Sequence, residues 1–364
     1  MKICIIGFGN IRHMPYLNLY LENMLSTQEV EIFTWNRDGS RDAKIESNYN
    51  VVYYSHIISN VDNLIKKIPA FWGYRKALYS YLSTRRFDRI IILHTPPAVL
   101  LKKYLIKNYE GKYLIDYRDI TYEKISAYRN IIDELISNSY VTLISSPGFM
   151  RWLSSEKLLL AHNIDMSLLG YSEQFYRERN FSKQRIVIRY WGQIRQTKIN
   201  IRLIDEVARD SRFELHYHGT QNRIMDVPRR HASNSRYDNI YFHGEYEPKD
   251  RIALAQSTDI IDNCYDAGKT EKYAMGNKYY DSALFGLPQI CNIKTFMGKK
   301  VGKDGLGISV DPFSCGFLDT VYDYYTNLDR SRLIKNCRKF LDECLCEQKA
   351  AISAIVKFTA SDER

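Results

Sequence analysis

Short apolar runs alternate with longer amphipathic segments along the first half of the chain. The opening run, Lys2–Gly7, ends in glycine and is followed by an amphipathic stretch through Met24. Further runs rich in β-branched and apolar residues lie at 29–35, 50–55, 89–93, 112–116 and 141–145. Apolar runs of this length between helical segments are typical of buried parallel strands joined by crossover helices. The pattern therefore predicts a parallel α/β domain over residues 1–165.

The alternation stops after Asn163 and returns at Arg185. Residues 166–184 are polar with scattered aromatics, and we expect a linker there. Strand-like runs follow at 185–191, 213–218, 239–243, 259–263 and 289–293, with helical segments between them. They predict a second domain at 185–330 and a C-terminal helical segment at 331–364. This last segment either packs back on the first domain or stays with the second. The predicted fold class is α/β, with two doubly wound Rossmann-like domains facing across a cleft.

Length and composition agree with two cores and an intracellular chain. The 364 residues suit two domains of about 100 to 200 residues each. No apolar run reaches the roughly 18 residues of a membrane span, and no leader with a cleavage site opens the sequence. The seven cysteines are odd in number and lack a C-x-x-C pair, so we expect buried thiols rather than disulfides or a zinc site. These features predict a cytoplasmic protein.

The charge of the chain favours anionic partners. The net charge is +10 at pH 7, which indicates nucleotide phosphates, an acidic lipid surface or nucleic acid. The chain contains no block of five or six basic residues and no zinc-finger or RNP-type signature, so we do not expect a nucleic-acid partner.

The segment Gly276–Pro288 carries the most informative pattern. It follows an apolar strand and a polar loop, and it predicts a glycine-bearing turn that opens a helix, whose N–H groups and dipole attract an anion. Lys278 lies in the first turn and adds positive charge. Asp281, one turn further along, can accept hydrogen bonds from two ribose hydroxyls. The alternative interpretation is a capped surface helix.

This segment resembles the N-K-x-x-E-x-x-x-x-G-x-P block of GT-B glycosyltransferases, in particular the retaining, family-4-like enzymes of bacterial capsule and O-antigen synthesis. The resemblance implies that Gly276, Asn277 and Lys278 bind the donor diphosphate and that Asp281 binds the nucleotide ribose. The family usually has two glutamates eight residues apart, whereas Tyr273 stands eight residues before Asp281. Glu271 is an alternative contact for the donor sugar.

Other segments of the second half resemble the same family. Trp191–Lys198 is similar to its G-x-x-R…K loop, which implies a phosphate-binding role for Gly192, Arg195 and Lys198. The alternative is a pair of solvated surface cations. The order of strand, glycine, loop and helix over residues 215–219, 239–246 and 254–259 also fits the family. The resemblance therefore implies nucleotide contacts from Gly219, Gly244, Glu245 and Tyr246. The alternating histidines His216, His218 and His243 are weak metal candidates, because such side chains are usually packed or solvated.

In the first half, polar residues follow two predicted strands, at the edge where ligands bind in such folds. His94 and the segment Asp116–Asp119 resemble the s-P-P and D-x-R-D blocks of the same transferases. The resemblance makes His94, Asp116, Arg118 and Asp119 acceptor-side candidates, since a carboxylate or imidazole there can accept the proton of an attacking hydroxyl. A buried Asp–Arg pair that only fixes the loop is an equal alternative.

The N-terminal Gly7–Arg12 segment resembles an incomplete dinucleotide fingerprint, with Arg12 at the third glycine position. This motif is the reason that an NAD(P)-dependent oxidoreductase is an alternative function. In a glycosyltransferase the same loop would line the acceptor side through Asn10, Arg12 and His13.

Residues 65–82 predict an amphipathic helix with nearby basic residues. Phe71, Tyr74, Leu78, Tyr81 and Leu82 follow helical spacing. Either this stripe packs into the core, or it faces an anionic bilayer and brings the protein to a lipid-linked acceptor at the inner face of the cell membrane.

Together, the residues and the resemblance predict a glycosyltransferase. It would move a hexose-type sugar from a nucleoside-diphosphate donor to a hydroxyl of a saccharide acceptor, lipid-linked in cell-surface polysaccharide synthesis, with retention of configuration. We expect neither a cofactor nor an obligatory metal ion. The alternatives are a GT-B-fold nucleotide-sugar epimerase, the oxidoreductase, and a non-catalytic basic binding module.

Overall fold

The chain folds into two α/β units. The computed structural model describes residues 1–24, 27–39, 43–58, 64–178, 185–194, 197–219, 223–234, 237–268 and 271–360. The N-terminal unit comprises residues 1–162 together with 346–364, and the C-terminal unit comprises 163–345. No helix among the described residues is long and apolar enough to cross a bilayer.

The N-terminal unit is built on a parallel sheet of seven strands in the order β3-β2-β1-β4-β5-β6-β7. Its strands are β1 (Lys2–Ile6), β2 (Glu29–Asn36), β3 (Asn50–Ser55), β4 (Arg89–Leu93), β5 (Tyr113–Tyr117), β6 (Val141–Ile144) and β7 (Leu158–Leu160). The reversal of direction at β1 and β4 confirms the doubly wound topology. Every predicted strand is present, and β7 is an additional strand at the sheet edge.

Helices connect these strands. They are α1 (Leu17–Leu21), α2 (Ala43–Glu46), α3 (Leu64–Ser83), α4 (Thr95–Leu100), α5 (Lys102–Tyr109) and α6 (Ser126–Asn138), with 3₁₀ turns at Ile11–His13 and Pro147–Arg151. On α3 the side chains of Tyr74, Leu78, Tyr81 and Leu82 are buried. Of the two interpretations of the predicted apolar stripe, the structure supports packing into the core.

The C-terminal unit repeats the design with a parallel sheet of six strands in the order β10-β9-β8-β11-β12-β13. Its strands are β8 (Ile186–Trp191), β9 (Phe213–His218), β10 (Ile240–Gly244), β11 (Ile260–Asn263), β12 (Gln289–Asn292) and β13 (Gly307–Val310). Again the predicted strands are present, and β13 was not predicted. The strand order again reverses beside the first strand, here between β8 and β11, so this sheet is also doubly wound.

The helices of this unit are α7 (Ser172–Glu178), α8 (Thr197–Ala208), α9 (Arg223–Asn234), α10 (Arg251–Gln256), α11 (Asn277–Phe285), α12 (Phe296–Asp304), α13 (Phe317–Thr326) and the start of α14 (Arg330–Thr359), with 3₁₀ turns at Met166–Tyr171 and Pro248–Asp250. Helix α11 is central, because every residue from Lys278 to Phe285 is buried.

The structure divides the chain at slightly different places from the prediction. The C-terminal unit begins at Asn163, and the described part of the predicted linker forms the 3₁₀ turn and α7, whose residues join this unit's core with α11. Apolar side chains in the segment, such as Leu168 and Phe175, are buried there, which favours packing over an irregular connection. Residues 179–184 lie outside the described residues. The end of α14 packs into the N-terminal unit through Ala351, Ile355 and Phe358.

Candidate functional site

The N-terminus of helix α11 is the candidate anion site of the C-terminal unit. The helix begins after the polar loop that follows β11, with extended backbone at Gly276 (φ −75°, ψ 157°), and it ends at Gly286 in the left-handed region (φ 60°). Asn277 at its first turn is exposed and Gly276 is half-buried. The first N–H groups of a helix have no partner within the helix and attract negative charge. Gly276 and Asn277 thus lie at an accessible helix N-terminus, and their phosphate-binding role stays a prediction.

Lys278, in contrast, points into the protein. Its side chain is 3% exposed, and its Nζ lies 3.2 Å from the centre of the Tyr190 ring and 3.4 Å from the Tyr265 hydroxyl. Burial lowers the pKa of Lys278 to about 7, against the opposing effect of Asp262 and Asp281. In this conformation Lys278 is not presented to a phosphate, although its charge lies behind the helix N-terminus.

Asp281 is also buried, and both of its oxygens already accept hydrogen bonds. The indole Nε1 of Trp191 donates to Oδ2 at 2.8 Å, and Arg251 donates to Oδ1 at 3.1 Å. Arg251 forms a second ion pair with Asp165. Burial raises the pKa of Asp281, and Arg251 and Trp191 oppose that rise. Asp281 thus fixes Trp191 and Arg251 in place and has no surface open to a ribose in this conformation.

Three glycines lie side by side at the carboxyl ends of adjacent strands. The Gly192 N–H donates to the carbonyl of His218 at 3.0 Å, and the Gly219 N–H donates to the carbonyl of Gly244 at 2.7 Å. A Cβ at Gly219 would lie 1.9 Å from the Gly192 carbonyl oxygen, so only glycine fits there. Gly192 and Gly244 have φ of 121° and 86°, which glycine tolerates best. The strand ends are therefore bare of side chains at Gly192, Gly219 and Gly244, and the approach of a nucleotide to them stays a prediction.

The remaining predicted residues of this unit are distributed around that edge. Tyr246 is partly buried against the core that holds α11. Burial and Asp281 raise its pKa, and Arg251 lowers it. Glu245 and Lys198 are exposed, and Lys198 lies in the first turn of α8. Arg195 lies outside the described residues. Glu271 is half-buried on the loop before α11.

Asp262 is a residue that the sequence interpretation missed. It is the third residue of β11 and is 1% exposed, and its Oδ2 has no hydrogen-bond partner within the described residues. Burial raises its pKa, against the opposing effect of Lys278. Asp262 therefore helps to retain the buried lysine behind the helix N-terminus. A carboxylate inside the apolar run Ile260–Asn263 was the available signal.

The three histidines of β9 and β10 form a stack beside Arg189. Their rings lie nearly parallel, with His218 and His243 4.2 Å apart and His216 and His243 5.2 Å apart. Burial lowers the pKa of His216 to about 4 and that of His218 to about 3. Arg189 lies 2.6 Å from Nε2 of His218. A cation next to a histidine nitrogen opposes metal binding, so the stack is better explained as packing.

In the N-terminal unit, Asp116 and Arg118 form a buried ion pair. Arg118 Nη2 donates to Asp116 Oδ2 at 2.9 Å, and the Tyr20 hydroxyl donates to the same oxygen at 2.8 Å. Asp116 is fully buried and Arg118 is 7% exposed. Arg118 also lies 4.5 Å from the centre of the Tyr16 ring. Of the two interpretations of this block, the structure supports the buried pair that fixes the loop, and neither side chain is accessible to a substrate in this conformation.

His94 and Asp119 are the accessible members of the acceptor-side candidates. Among the described residues, His94 is the only one besides glycines with a positive φ, 76°. Such backbone strain is concentrated at functional positions. Its ring hydrogen-bonds with the Tyr16 hydroxyl, burial lowers its pKa, and Asp119 and Asp116 oppose that shift. Asp119 is exposed. A half-buried imidazole beside an exposed carboxylate is suited to accepting a proton.

The N-terminal loop holds itself together rather than presenting all its polar groups. Asn10 is 4% exposed; its side chain donates to Asn36 and Asp38 at 2.9 and 2.6 Å. Asn10 is therefore not an acceptor contact in this structure, because its amide is used to join the ends of β1 and β2. Arg12 is ion-paired with Asp38, and both Arg12 and His13 are exposed. The following segment is a 3₁₀ turn and the short α1, not the long helix of a dinucleotide fingerprint.

Comparisons with known proteins identify the fold. No protein-family model matches the chain, and no curated protein matches it. Among solved structures, the chain is similar to sucrose-phosphate synthase from Thermosynechococcus elongatus, with TM-score 0.71, 13% identity and coverage of 97% of this chain and 96% of that one. It is similar to a UDP-forming α,α-trehalose-phosphate synthase from Burkholderia xenovorans, with TM-score 0.70, 11% identity and coverage of 99% and 100%.

A third similar structure has a different activity. UDP-GlcNAc 2-epimerase from Neisseria meningitidis, bound to UDP-GlcNAc, gives TM-score 0.54 at 13% identity, with coverage of 95% of this chain and 100% of that one. The chain thus has the GT-B fold, with two parallel-sheet α/β domains. At identities of 11 to 13% the likeness shows the fold alone, and the activity has to be argued from the residues of the site.

Proposed function

We propose that this protein is a glycosyltransferase that moves a sugar from a nucleoside-diphosphate donor to a hydroxyl of a saccharide acceptor. The observation that carries the proposal is the open N-terminus of α11, with Gly276 and exposed Asn277, at the carboxyl edge of a parallel sheet. The strand ends at Gly192, Gly219 and Gly244 lie at the carboxyl edge of the same sheet. This edge is where doubly wound folds bind nucleotides.

The chemistry needed at this edge is stabilisation of the departing diphosphate. The Asn277 N–H group and the dipole of α11 are fixed before the reaction, and such preorganised groups stabilise developing negative charge well. The Gly276 N–H donates to Met297 Sδ at 3.4 Å and would have to exchange that partner for a phosphate. Exposed Lys198 on α8 is proposed to add positive charge. The same role is proposed for Arg195 from the sequence resemblance alone. Lys278 contributes from behind the helix, where it is held by Tyr190 and Tyr265.

The buried Asp281 is assigned an indirect part. It holds Trp191 and Arg251, and Tyr246 packs on the same core. We propose that Tyr246 and Glu245 contact the nucleoside and that Asp281 positions the surrounding side chains; a direct contact with the ribose requires its side chain to move. Glu271 is the proposed contact for the donor sugar.

On the acceptor side, Asp119 and His94 are the proposed bases. Of the two aspartates in the segment Asp116–Asp119, only Asp119 is exposed. A group that takes the proton of the attacking hydroxyl must reach the substrate. Asp116 and Arg118 hold the loop that carries Asp119. Neither partner of this buried pair is proposed to take part in proton transfer.

The finer assignment follows the sequence resemblance. We propose a hexosyl transfer with retention of configuration to a lipid-linked oligosaccharide in cell-surface polysaccharide synthesis, without a cofactor or an obligatory metal ion. The outer face of α3 supports contact with an anionic membrane on the cytoplasmic side. Trp72 and Tyr79 are 62% and 48% exposed, and exposed Arg75 and Lys76 lie between them. Aromatic and basic side chains on one face are typical of helices that lie on anionic bilayers.

A binding screen followed by a transfer assay tests the proposal. A ligand that binds only the folded state raises the melting temperature, so UDP, GDP, dTDP, CMP, NAD and NADP are screened by thermal shift. We expect stabilisation by a nucleoside diphosphate. The corresponding nucleotide sugar is then supplied with and without a saccharide acceptor, since an epimerase converts the sugar without consuming an acceptor. A response to NAD or NADP alone would support the oxidoreductase instead.

The variant Asn277→Asp tests the donor site directly. A carboxylate in the first turn of a helix stabilises the helix but repels a bound diphosphate. We expect nucleoside-diphosphate affinity to fall about 10-fold or more, from the loss of one charge-assisted contact and the added repulsion, with an unchanged or higher melting temperature. Asn327→Asp, at the end of α13, is the matched control. Equal affinity in Asn277→Asp and the unmodified protein would remove the α11 N-terminus from the site.

A further inference from the structure

Arg37 lies at the same sheet edge as the acceptor-side candidates and pairs with no acidic side chain among the described residues. It directly follows β2, at the same sheet edge as His94. The neighbouring cations are neutralised, Arg12 by Asp38 and Arg118 by Asp116. Arg37 forms no ion pair with any carboxylate that the structure describes, and its Nε–H is buried without a hydrogen-bond acceptor in the same set of residues. Its charge is therefore uncompensated within the described part of the chain.

Two aromatic rings hold the Arg37 guanidinium. Its central carbon lies 4.4 Å from the centre of the Phe8 ring and 4.5 Å from that of Trp35. Phe8 in turn stacks on Phe71 at 5.6 Å, and the Arg37 backbone N–H donates to the Asn10 side chain at 3.1 Å. Stacking engages the faces of a guanidinium and leaves its N–H edge for a planar two-point contact with an anion.

Retaining an unpaired cation here is unfavourable without a ligand. Arg37 is half-buried, and burial lowers its pKa, since a charge removed from water without a partner is destabilised. Its field reaches the acceptor-side candidates, because Arg37 is among the groups that lower the pKa of His94. An anion bound at Arg37 would neutralise this charge within electrostatic range of the proposed base.

We propose that Arg37 binds an oxyanion carried by the acceptor, a phosphate or a carboxylate, and so presents the acceptor hydroxyl to His94 and Asp119. The inference rests on the proposed transferase function and narrows the acceptors to anionic saccharides. Arg37 is a specificity-determining residue in this assignment, since it selects the acceptor without exchanging a proton with it.

The test reads Arg37 itself. The Nε–H resonance of Arg37 in the full-length protein is followed by NMR while glucose 6-phosphate, glucuronate or glucose is added. We expect saturable shifts with one or both anionic sugars and none with glucose. Whichever of glucose 6-phosphate and glucuronate binds more tightly shows whether the acceptor carries a phosphate or a carboxylate. In Arg37→Met the affinity for that anion should fall roughly 10- to 150-fold, the range for hydrogen bonds to charged groups.

Two further variants keep the result interpretable. Arg37→Lys keeps the charge but loses the two-point contact, so its affinity should be intermediate even if Arg37→Met folds poorly. Arg89→Gln, at the first residue of β4 on the opposite sheet edge, removes a cation of the same unit and should bind the anion as well as the unmodified protein.

The outcomes separate this inference from the proposed function. If the Arg37 resonance does not respond, or responds equally to glucose, the inference is overturned, whatever nucleotide binds. If Arg37→Met binds the anionic sugar as tightly as the unmodified protein, it is overturned as well. If Arg37 binds an anion but no nucleoside diphosphate stabilises the protein, the anion site stands and the transferase proposal fails.

Discussion

The two sheets carry the same device at their carboxyl edges and differ in what surrounds it. In the N-terminal unit a buried aspartate, Asp116, holds Arg118 and a tyrosine hydroxyl. In the C-terminal unit the buried Asp281 holds Arg251 and a tryptophan indole. Around Asp116 lie an exposed carboxylate and a strained histidine, whereas around Asp281 lie a helix N-terminus and the bare strand ends of three glycines.

This comparison shows that the acidic residues of a motif need not be the ones that meet the ligand. Both buried aspartates accept hydrogen bonds from protein groups and pair with a buried arginine, and both support the segments next to them. The groups accessible to a substrate are their neighbours, Asp119 in one unit and Asn277 in the other. One edge is thereby suited to accepting a proton and the other to binding an anion.

The largest expected effect is on stability, from removing the charge of each buried aspartate. Asp116→Asn leaves Arg118 buried without an anion, which we expect to lower the free energy of unfolding by about 3–5 kcal/mol. Asp281→Asn should cost less, about 1–3 kcal/mol, because Arg251 retains Asp165. Urea denaturation, followed by tryptophan fluorescence, measures both changes, and Trp191 reports on the surroundings of Asp281.

Exposed aspartates of each unit serve as controls for this pair. Asp133→Asn on α6 and Asp238→Asn before β10 remove a surface charge and should stay within about 0.5 kcal/mol of the unmodified protein. A different result would break the comparison: if Asp281→Asn kept full stability and lost nucleotide affinity, Asp281 would face the ligand, as the sequence resemblance implies.

The next effect is on rate and separates Asp119 from Asp116. Asp119→Asn removes an exposed carboxylate, so we expect stability within about 0.5 kcal/mol of the unmodified protein and transfer slowed about 100-fold or more, the usual contribution of a general base. Steady-state transfer assays with a matched acceptor measure it, with Asp133→Asn as the control. Unchanged turnover in Asp119→Asn would leave His94 as the proposed base.

The smallest effect concerns pH and the buried Lys278. Since burial lowers its pKa to about 7 in the folded protein, the unfolded chain binds the additional proton between pH 7 and about 10.4. The destabilisation that comes from burying the charged form of Lys278 is therefore absent above about pH 10.4, grows as the pH falls, and is complete below pH 7. Lys278→Met should be more stable than the unmodified protein at pH 6, by about 1–3 kcal/mol, and the difference should shrink toward pH 10.

Thermal and urea unfolding at pH 6, 8 and 10 measure that difference. Lys300→Met, at a half-buried lysine on α12 that is paired with Asp304, is the control and should show no such gain at pH 6. A gain in Lys278→Met that is constant with pH would mean that the lysine stays charged throughout.

Most of the fold could be predicted from the sequence, because parallel strands buried on both faces are long apolar runs. The two strands that were missed are β7 and β13, of three and four residues at the sheet edges. Runs of three or four residues show little periodicity, so some of this length, such as β6, β11 and β12, are recognised and others are not. The stripe of α3 was recognised as amphipathic, but the sequence left open which face is covered, and the structure buries Tyr74 and Leu78.

The sequence by itself determined the strands, the glycine turns and the helix that begins at Asn277, because these depend on local patterns. Only the tertiary structure decided which charged side chains are accessible. Asp116 meets Tyr20 from 96 residues away, and Asp281 meets Trp191 from 90 residues away. Burial of a carboxylate depends on what distant segments place over it, and a motif in one segment contains no information about that cover.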